Sequence, residues 1–269
     1  MRLRLKLITA GLIVCALSSP AVFIGQVPHA TGPARDVDVY DGFETKTLSK
    51  VWDTSRFEPG AVMMQSEIVR SGHGAAKITV RAHDIYEAGT KGNLPTERAE
   101  LMEARELVSK EGGNYEYSFS MFIPADFPIV PTRLVIAQWK QYCPSGDCLY
   151  DNPVIAVRYV SGVLRITHKI GAKEATLYRT EAELRNRWLD FKFQIRFSAD
   201  PEGRIKAWLD NKQIVDYAGA NAYPEDKQTG FAAPGWFFFK MGLYRDPMAQ
   251  PMTIYIDEYR KKGLAGNAF

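Results

Sequence analysis

Short runs in which apolar and polar residues alternate follow one another along most of the chain. In residues 115–124, for example, Tyr117, Phe119 and Met121 fall on one side of an extended strand, and Pro124 ends the run. About ten such runs occur, and no long amphipathic helix lies between them. Parallel sheets need crossover helices, so the pattern predicts an all-β fold, an antiparallel β-sandwich of jelly-roll type.

Residues 95–110 fit this pattern less clearly. Strong helix formers are frequent here and apolar residues recur at helical spacing, which by itself favours a helix. As a strand, the same segment places Arg98, Glu100 and Met102 on one face. On the local pattern alone we predict a helix.

Residues 237–245 separate into two faces at a period of two residues. One face is apolar and is predicted to lie in the core: Phe237, Phe239, Met241 and Leu243. The other face carries an amine and a phenol, Lys240 and Tyr244, roughly 13 Å apart at the rise of an extended strand. Gly242 lies between them and leaves room for another group to approach the backbone.

Residues 133–142 show a similar division. Gln138 and Lys140 share a face with Ile136, and the opposite face consists of Val135, Ala137 and Trp139. With residues 95–110 as a neighbouring strand, one concave face of the sheet would display Arg98, Glu100, Gln138, Lys140, Lys240 and Tyr244. Such a cationic, hydrogen-bonding surface suits an anionic polymer, although an ordinary solvent-facing sheet also carries these residue types.

This set of residues favours β-elimination on a uronic acid. The C5 proton beside a carboxylate is weakly acidic, so an enzyme must neutralise that carboxylate, remove the proton and protonate the leaving oxygen. Arginine, lysine and glutamine can neutralise the carboxylate, a tyrosine can transfer protons, and no metal or other cofactor is required. Hydrolase motifs are missing, and the adjacent Asp257 and Glu258 point to opposite faces of a strand, so they are predicted to be structural.

The charge balance argues against nucleic acid as a partner. The chain of 269 residues has a formal net charge of +3. Arg2, Arg4 and Lys6 account for all of it, and the remaining 31 basic residues balance 31 acidic ones. With 46% hydrophobic and 24% charged residues, the composition is typical of a globular protein.

The N-terminal segment has the pattern of a secretory signal. A basic start precedes an apolar run, which predicts a signal peptide or an N-terminal anchor in residues 1–30, with a loose membrane tether if it is not cleaved. A linker is expected in residues 31–40 and a single β-domain in 41–265. The protein is therefore expected to be secreted or periplasmic, and a monomer.

Two cysteines remain after this segment, Cys143 and Cys148. In an exported protein, such a close pair predicts a local disulfide that stabilises a loop. A metal site would need more ligands, and none lie close to the pair in the sequence.

The order of several motifs resembles the heparin lyase I-like polysaccharide lyases, including the glucuronan lyases, and more distantly the jelly-roll alginate lyases. The motifs that carry the resemblance lie in residues 97–101, 115–124, 136–140, 188–215, 237–245 and 254–259. The resemblance implies a jelly roll with a concave cleft for a uronic-acid polymer, and it favours a strand over a helix in residues 95–110.

The resemblance also implies roles for individual residues. Arg98, Gln138 and Lys240 would bind the substrate carboxylate, and Tyr244 would be the catalytic acid and in some members also the base. Lys140 stands where relatives often have histidine, and lysine is a poorer base near neutral pH unless its pKa is lowered. Either Tyr244 makes both proton transfers, or His83, just upstream of the Arg98 strand, assists it.

Further candidate substrate-binding residues are Glu100, Arg105, Trp139 and Arg245, the last also as a cation beside Tyr244. The leading hypothesis is therefore a polysaccharide lyase that acts by β-elimination. The alternative is a non-catalytic, lectin-like jelly roll that keeps the cleft and binds an anionic polysaccharide without cleaving it.

Overall fold

Alternating segments of the chain pair into two antiparallel sheets. The computed structural model describes residues 37–88, 94–146, 148–150, 152–265 and 269. In these ranges the chain forms sixteen β-strands and one short 3-10 helix, Arg105–Leu107. The prediction of an all-β, antiparallel sandwich is confirmed.

The strands follow one another in this order: β1 (Asp38–Asp41), β2 (Trp52–Asp53), β3 (Val62–Gln65), β4 (Ala75–Val80), β5 (Glu97–Glu103), β6 (Ser109–Lys110), β7 (Asn114–Ile123), β8 (Leu134–Gln141), β9 (Ile155–Val160), β10 (Val163–Lys169), β11 (Glu174–Thr180), β12 (Arg187–Arg196), β13 (Arg204–Leu209), β14 (Lys212–Ala218), β15 (Trp236–Arg245) and β16 (Met252–Leu264). The first strand begins at Asp38, within the segment expected to be a linker.

The order of strands determines which segments become neighbours. One sheet runs β14-β13-β12-β7-β16-β4-β3, with β1 beside β16. The other, which we call the cleft sheet, runs β11-β10-β9-β8-β15-β5-β2, with β6 beside β15. The three adjacent strands β8, β15 and β5 therefore carry the three segments in which the sequence places polar residues.

Aromatic side chains fill the space between the two sheets. From the cleft sheet, Trp139 and Phe239 lie with their ring centres 4.8 Å apart. Trp139 also packs against Phe193 of β12 at 4.5 Å, and Phe239 packs against Phe119 of β7 at 5.5 Å. Replacing a buried aromatic of this kind by alanine typically costs about 3–5 kcal/mol, so this layer holds the cleft sheet rigidly in place.

The ambiguous segment 95–110 is a strand followed by a single 3-10 turn. Six residues of β5 pair with β15, and Leu101 is fully buried against the other sheet. Pairing along a whole strand outweighs helix propensity, which contributes only a few tenths of a kcal/mol per residue. The strand interpretation is confirmed.

Strict alternation is interrupted by a bulge in β8. Its pairing with β9 shifts register between Val135 and Ala137, so Ile136 and Ala137 both point into the core. As a result Val135 faces the cleft, whereas the sequence pattern places Ile136 there. The prediction for these two residues is wrong because a bulge adds one residue to a strand and reverses the faces beyond it.

A similar irregularity in β16 buries a charged residue. The strand shifts register between Asp257 and Arg260, and Lys261 then points inward and is fully buried. Lys261 Nζ lies 2.9 Å from Glu103 Oε2, and Tyr259 donates a hydrogen bond to the other carboxylate oxygen. Burial lowers the pKa of Lys261, which Glu103 counteracts. An ion pair therefore links the two sheets inside the sandwich.

Asp257 itself has a structural position. It is fully buried and its carboxylate accepts hydrogen bonds from the backbone N–H groups of Arg70, Ser71 and Glu258. Burial raises the pKa of this carboxyl, and these three hydrogen bonds lower it. The carboxylate fixes the bulge and does not reach the cleft sheet.

The predictions for the N-terminal segment concern residues outside the ranges that the structure describes. The signal or anchor segment 1–30 and most of the linker lie outside the described residues. Within the described ranges, no helix is long and apolar enough to cross a membrane. The disulfide between Cys143 and Cys148 is confirmed.

Candidate active site

Four of the predicted site residues lie side by side on the cleft sheet. In the strand register, Lys240 of β15 is opposite Gln138 of β8, and Tyr244 of β15 is opposite Arg98 of β5. Together with Lys140 they contribute to one hollow of about 240 Å³, which we call the Tyr244 pocket. The pocket is lined by Glu87, Ala88, Leu94, Thr96, Arg98, Arg133, Val135, Gln138, Lys140, Asn152, Pro153, Arg158, Lys240 and Tyr244.

The close approach of the neighbouring strand β5 explains why residue 242 is a glycine. A Cβ atom at this position would lie 2.4 Å from the carbonyl oxygen of Ala99 in β5, and the backbone has a φ of +137°. Only glycine fits without moving β5. The group that approaches the backbone here is therefore β5, which brings Arg98 next to Tyr244.

The pocket is strongly cationic. Five basic side chains line it among the described residues, against one acidic side chain, Glu87. The pKa of Lys240 is lowered to about 8, mainly by burial; the nearby Glu100 counteracts this shift, and the positive charges of Lys140 and Arg98 add to it. Among the described residues, no group of three or more His, Cys, Asp or Glu side chains is placed to hold a metal ion.

Glu100 lies beneath the pocket and orients three of its side chains. The carboxylate is 1% exposed. One oxygen accepts a hydrogen bond of 2.5 Å from Gln138 Nε2, and the other lies 3.6 Å from Arg98 and 3.8 Å from Lys240. Because an ionised carboxylate only accepts hydrogen bonds, it fixes which end of the Gln138 amide points downward. The prediction that Glu100 contacts substrate is corrected: it positions the residues that face the pocket.

The ring of Tyr244 lies between two guanidinium groups. Arg98 Cζ is 4.8 Å from the ring centre and Arg133 Cζ is 5.5 Å from it. Arg133 is held in turn by Asp246, at 2.7 Å. These two cation–π contacts place positive charge beside the ring.

Two predicted substrate-binding residues are buried away from the pocket. Trp139 is fully buried between the sheets, so it has no surface to offer a sugar. Arg245 is fully buried as well and pairs with Glu97 at 2.9 Å, while also donating to the carbonyl oxygens of Met248 and Gln250. Both predictions are wrong, because the two residues have the opposite parity to Gln138 and Tyr244 along their strands.

Two further predicted residues lie near the pocket but not in it. Arg105 belongs to a neighbouring hollow that it shares with Met102, Trp236 and Phe238. His83 is exposed, its ring stands edge-on to Tyr86 at 5.9 Å, and it is not among the residues that line the Tyr244 pocket. The structure therefore does not bring His83 into the pocket, and its part in catalysis stays a prediction.

Sequence reasoning missed several residues of the pocket. Arg158 occupies an outward position of β9, where the alternation of the strand gave a usable signal. Arg133 precedes β8, and Asn152 follows the disulfide-bonded loop, so neither position carries a strand pattern. Glu87 belongs to a connection before β5, and only the folded structure places it beside Arg98.

Comparison with known proteins places the chain in a family. A family model described as "Polysaccharide lyase" matches residues 43–260. The chain belongs to this polysaccharide lyase family. The protein is therefore a polysaccharide lyase, and the family favours this enzyme over the non-catalytic, lectin-like alternative. Curated protein sequences give no match.

Solved structures share the fold of this lyase. The endo-β-1,4-glucuronan lyase of the fungus Trichoderma reesei superimposes with a TM-score of 0.63 at 20% identity, covering 79% of this chain and 91% of that one. An alginate lyase of Corynebacterium gives 0.52 at 13% identity, with 77% and 82% covered. The alginate lyase AlgAT5 of polysaccharide lyase family 7 gives 0.53 at 12%, with 77% and 84% covered. At these identities the likeness shows the jelly-roll fold.

Proposed function

We propose that this lyase cleaves a uronic-acid polymer by β-elimination in the Tyr244 pocket. The observation that carries the proposal is the convergence of Arg98, Gln138, Lys240 and Tyr244 from three adjacent strands. A cationic pocket lined by the phenol of Tyr244 matches a reaction in which negative charge grows on a carboxylate while protons are transferred beside it.

The first requirement is to neutralise the carboxylate of one uronate ring. Arg98 supplies guanidinium N–H donors, and Gln138 supplies the second N–H of the amide nitrogen that already donates to Glu100. Lys240 supplies a buried positive charge between the two strands. Removing the C5 proton pushes electron density onto this carboxylate. Preorganised donors at such a position typically contribute about 10²–10³-fold each to the rate.

Tyr244 then makes both proton transfers. As a phenolate it takes the C5 proton, the electron pair of that bond forms the C4–C5 double bond, and the C4–O bond breaks. The same hydroxyl returns the proton to the leaving glycosidic oxygen, so the atoms balance without water or a cofactor. Arg98 and Arg133, close to the ring, stabilise the negative charge of the phenolate before it takes the C5 proton and after it has returned that proton.

A single residue that both removes and returns the proton acts on one face of the sugar. This suits uronates in which the C5 proton and the C4 oxygen lie on the same side, as in D-glucuronate and D-mannuronate. Their C5 epimers, L-iduronate and L-guluronate, present the two groups on opposite sides. We therefore propose β-1,4-linked glucuronan as the first substrate to test, in line with the activity named for the Trichoderma reesei relative.

The experiment that tests this proposal is a substrate panel. Glucuronan, polymannuronate, polyguluronate and a neutral cello-oligosaccharide are incubated with the purified protein, and the near-ultraviolet absorbance of unsaturated uronate is followed. Product from glucuronan or polymannuronate, with little from polyguluronate, is expected. Preferential cleavage of polyguluronate would contradict the one-sided mechanism, and binding of all polymers without product would contradict β-elimination.

The pH dependence of the reaction should reflect Lys240. Its pKa of about 8 means that the positive charge beside the substrate carboxylate is lost as the pH rises through that value. We expect kcat/KM of the wild type to fall above about pH 8, and the Lys240→Gln variant to be less active but to lack this fall. The matched control Lys212→Arg, on an exposed position of β14, should keep the wild-type profile.

The lowered pKa of Lys240 also determines the direction in which the stability of the protein changes with pH. The pKa of Lys240 is lower in the folded protein than the ordinary value of 10.5, so the unfolded chain binds more protons between about pH 8 and 10.5. The contribution of Lys240 to the free energy of unfolding therefore rises with pH across that window. A loss of activity above pH 8 that coincides with unfolding would contradict a specific role of Lys240.

We also propose that the enzyme is secreted or periplasmic and acts as a monomer. The disulfide between Cys143 and Cys148 supports an oxidising compartment. The bonded loop precedes Asn152 and Pro153, which line the pocket, so the disulfide would stabilise this wall of the pocket.

A further inference from the structure

A carboxylate of the protein lies on the substrate-facing side of Arg98. Glu87 and Thr96 exchange two backbone hydrogen bonds, of 2.9 and 3.0 Å. This isolated bridge places the Glu87 side chain on the same side of the strand as Arg98, two residues beyond Thr96. Glu87 Oε2 then accepts a hydrogen bond of 2.5 Å from Arg98 Nη2.

The other donors of Arg98 are directed elsewhere. Its Nη1 faces Glu100 below the pocket at 3.6 Å, and its Nε is buried without a partner. Glu87 lines the pocket, so Nη2 is the donor of Arg98 that a carboxylate bound in the pocket would reach. A uronate and Glu87 present the same chemical group to the same guanidinium edge.

We propose that Glu87 competes with the substrate carboxylate for Arg98, so that binding of a uronate exchanges one carboxylate for the other. This inference rests on the proposed function of the Tyr244 pocket and adds to it a residue that sets substrate affinity. It also predicts selectivity, because a neutral sugar has no group with which to displace Glu87 from Arg98.

The structure provides a second partner for Glu87. Arg56 Nη1 lies 3.7 Å from Glu87 Oε1, and both side chains are partly exposed, 36% for Arg56 and 50% for Glu87. A displaced Glu87 can therefore remain paired. Arg98, which is only 8% exposed in its pair with Glu87, receives the uronate carboxylate in exchange, so neither charge is left unpaired.

The test measures binding and turnover separately. Glu87→Gln and Glu87→Ala are each combined with Tyr244→Phe, and the dissociation constant for a glucuronate tetrasaccharide is measured by calorimetry. Both substitutions are expected to tighten binding roughly threefold or more relative to Tyr244→Phe alone. Binding of cellotetraose, the neutral analogue, should be unchanged. In the otherwise wild-type enzyme, Glu87→Gln should lower KM for glucuronan.

A matched control distinguishes competition for Arg98 from a general effect of net charge on binding. Glu202→Gln makes the same change of net charge at an exposed turn between β12 and β13, and it should leave the dissociation constant unchanged. Weaker or unchanged binding by both Glu87 variants would overturn the proposal, because Glu87 would then hold Arg98 in its working orientation. Turnover of glucuronan by the wild type decides the proposed function independently of this result.

Discussion

Replacing Tyr244 by phenylalanine is expected to lower kcat on glucuronan by about 10³-fold, within the range of 10²–10⁴-fold typical of general acid–base catalysis. The substitution removes only the hydroxyl group. The ring would remain between Arg98 and Arg133, whose guanidinium groups lie 4.8 and 5.5 Å from its centre. The measurement is the rate of formation of unsaturated uronate, compared with the thermal unfolding temperature of the same variant.

The control for this prediction is another tyrosine of the cleft sheet. Tyr178 lies on the edge strand β11 and does not line the Tyr244 pocket, so Tyr178→Phe should keep nearly full activity. A Tyr244→Phe protein that unfolds at the wild-type temperature and retains more than about a tenth of the wild-type rate would remove the phenol from both proton transfers.

Replacing Lys261 by methionine is expected to lower the free energy of unfolding by about 3–5 kcal/mol. Lys261 and Glu103 are both buried between the sheets, with Nζ and Oε2 2.9 Å apart. Methionine has a similar shape but no charge, so Glu103 would remain ionised in the core with Tyr259 as its main side-chain donor. Chemical denaturation, monitored by tryptophan fluorescence, measures the difference.

The neighbouring residue provides the control for Lys261. Lys262 is partly exposed on the other side of β16, and Lys262→Met should change the free energy of unfolding by less than about 0.5 kcal/mol. A double variant, Glu103→Gln with Lys261→Met, should recover part of the loss, because the unpaired charge is gone. A loss of less than about 1 kcal/mol in Lys261→Met would show that the buried pair is not a significant link between the sheets.

Alternation along single strands was sufficient to predict the floor of the pocket. In β15 the residues Phe237, Phe239, Met241 and Leu243 are buried, and the pattern correctly separated Lys240 and Tyr244 from them. Gln138 was assigned in the same way. These predictions depend only on the period of an extended chain, which is a local property.

The parts that could not be predicted depend on pairing between strands. Val135 faces the pocket because of the bulge in β8, and Lys261 faces the core because of the irregularity in β16. Neither segment has a glycine or a proline at the irregularity that would indicate it in the sequence. Glu87 reaches Arg98 through an isolated bridge to Thr96, a contact that has no signal in the local sequence.

The family resemblance predicted a strand where the local pattern favours a helix. This chain departs from the family pattern at one position of the site. The resemblance favoured a strand in residues 95–110, and the structure has the strand Glu97–Glu103 there. The lysine at position 140, where relatives often have histidine, lines the pocket beside Gln138. With His83 outside the pocket, the proposal assigns both proton transfers to Tyr244 and leaves Lys140 a role in binding negative charge.

A crystal structure of the Tyr244→Phe variant with a bound glucuronate tetrasaccharide tests the central claim most directly. We predict one uronate ring in the Tyr244 pocket, with its carboxylate within hydrogen-bonding distance of Arg98 and Gln138 and near Lys240, and with C5 facing position 244. A carboxylate that points to solvent, or a sugar chain bound away from β8, β15 and β5, would contradict this account.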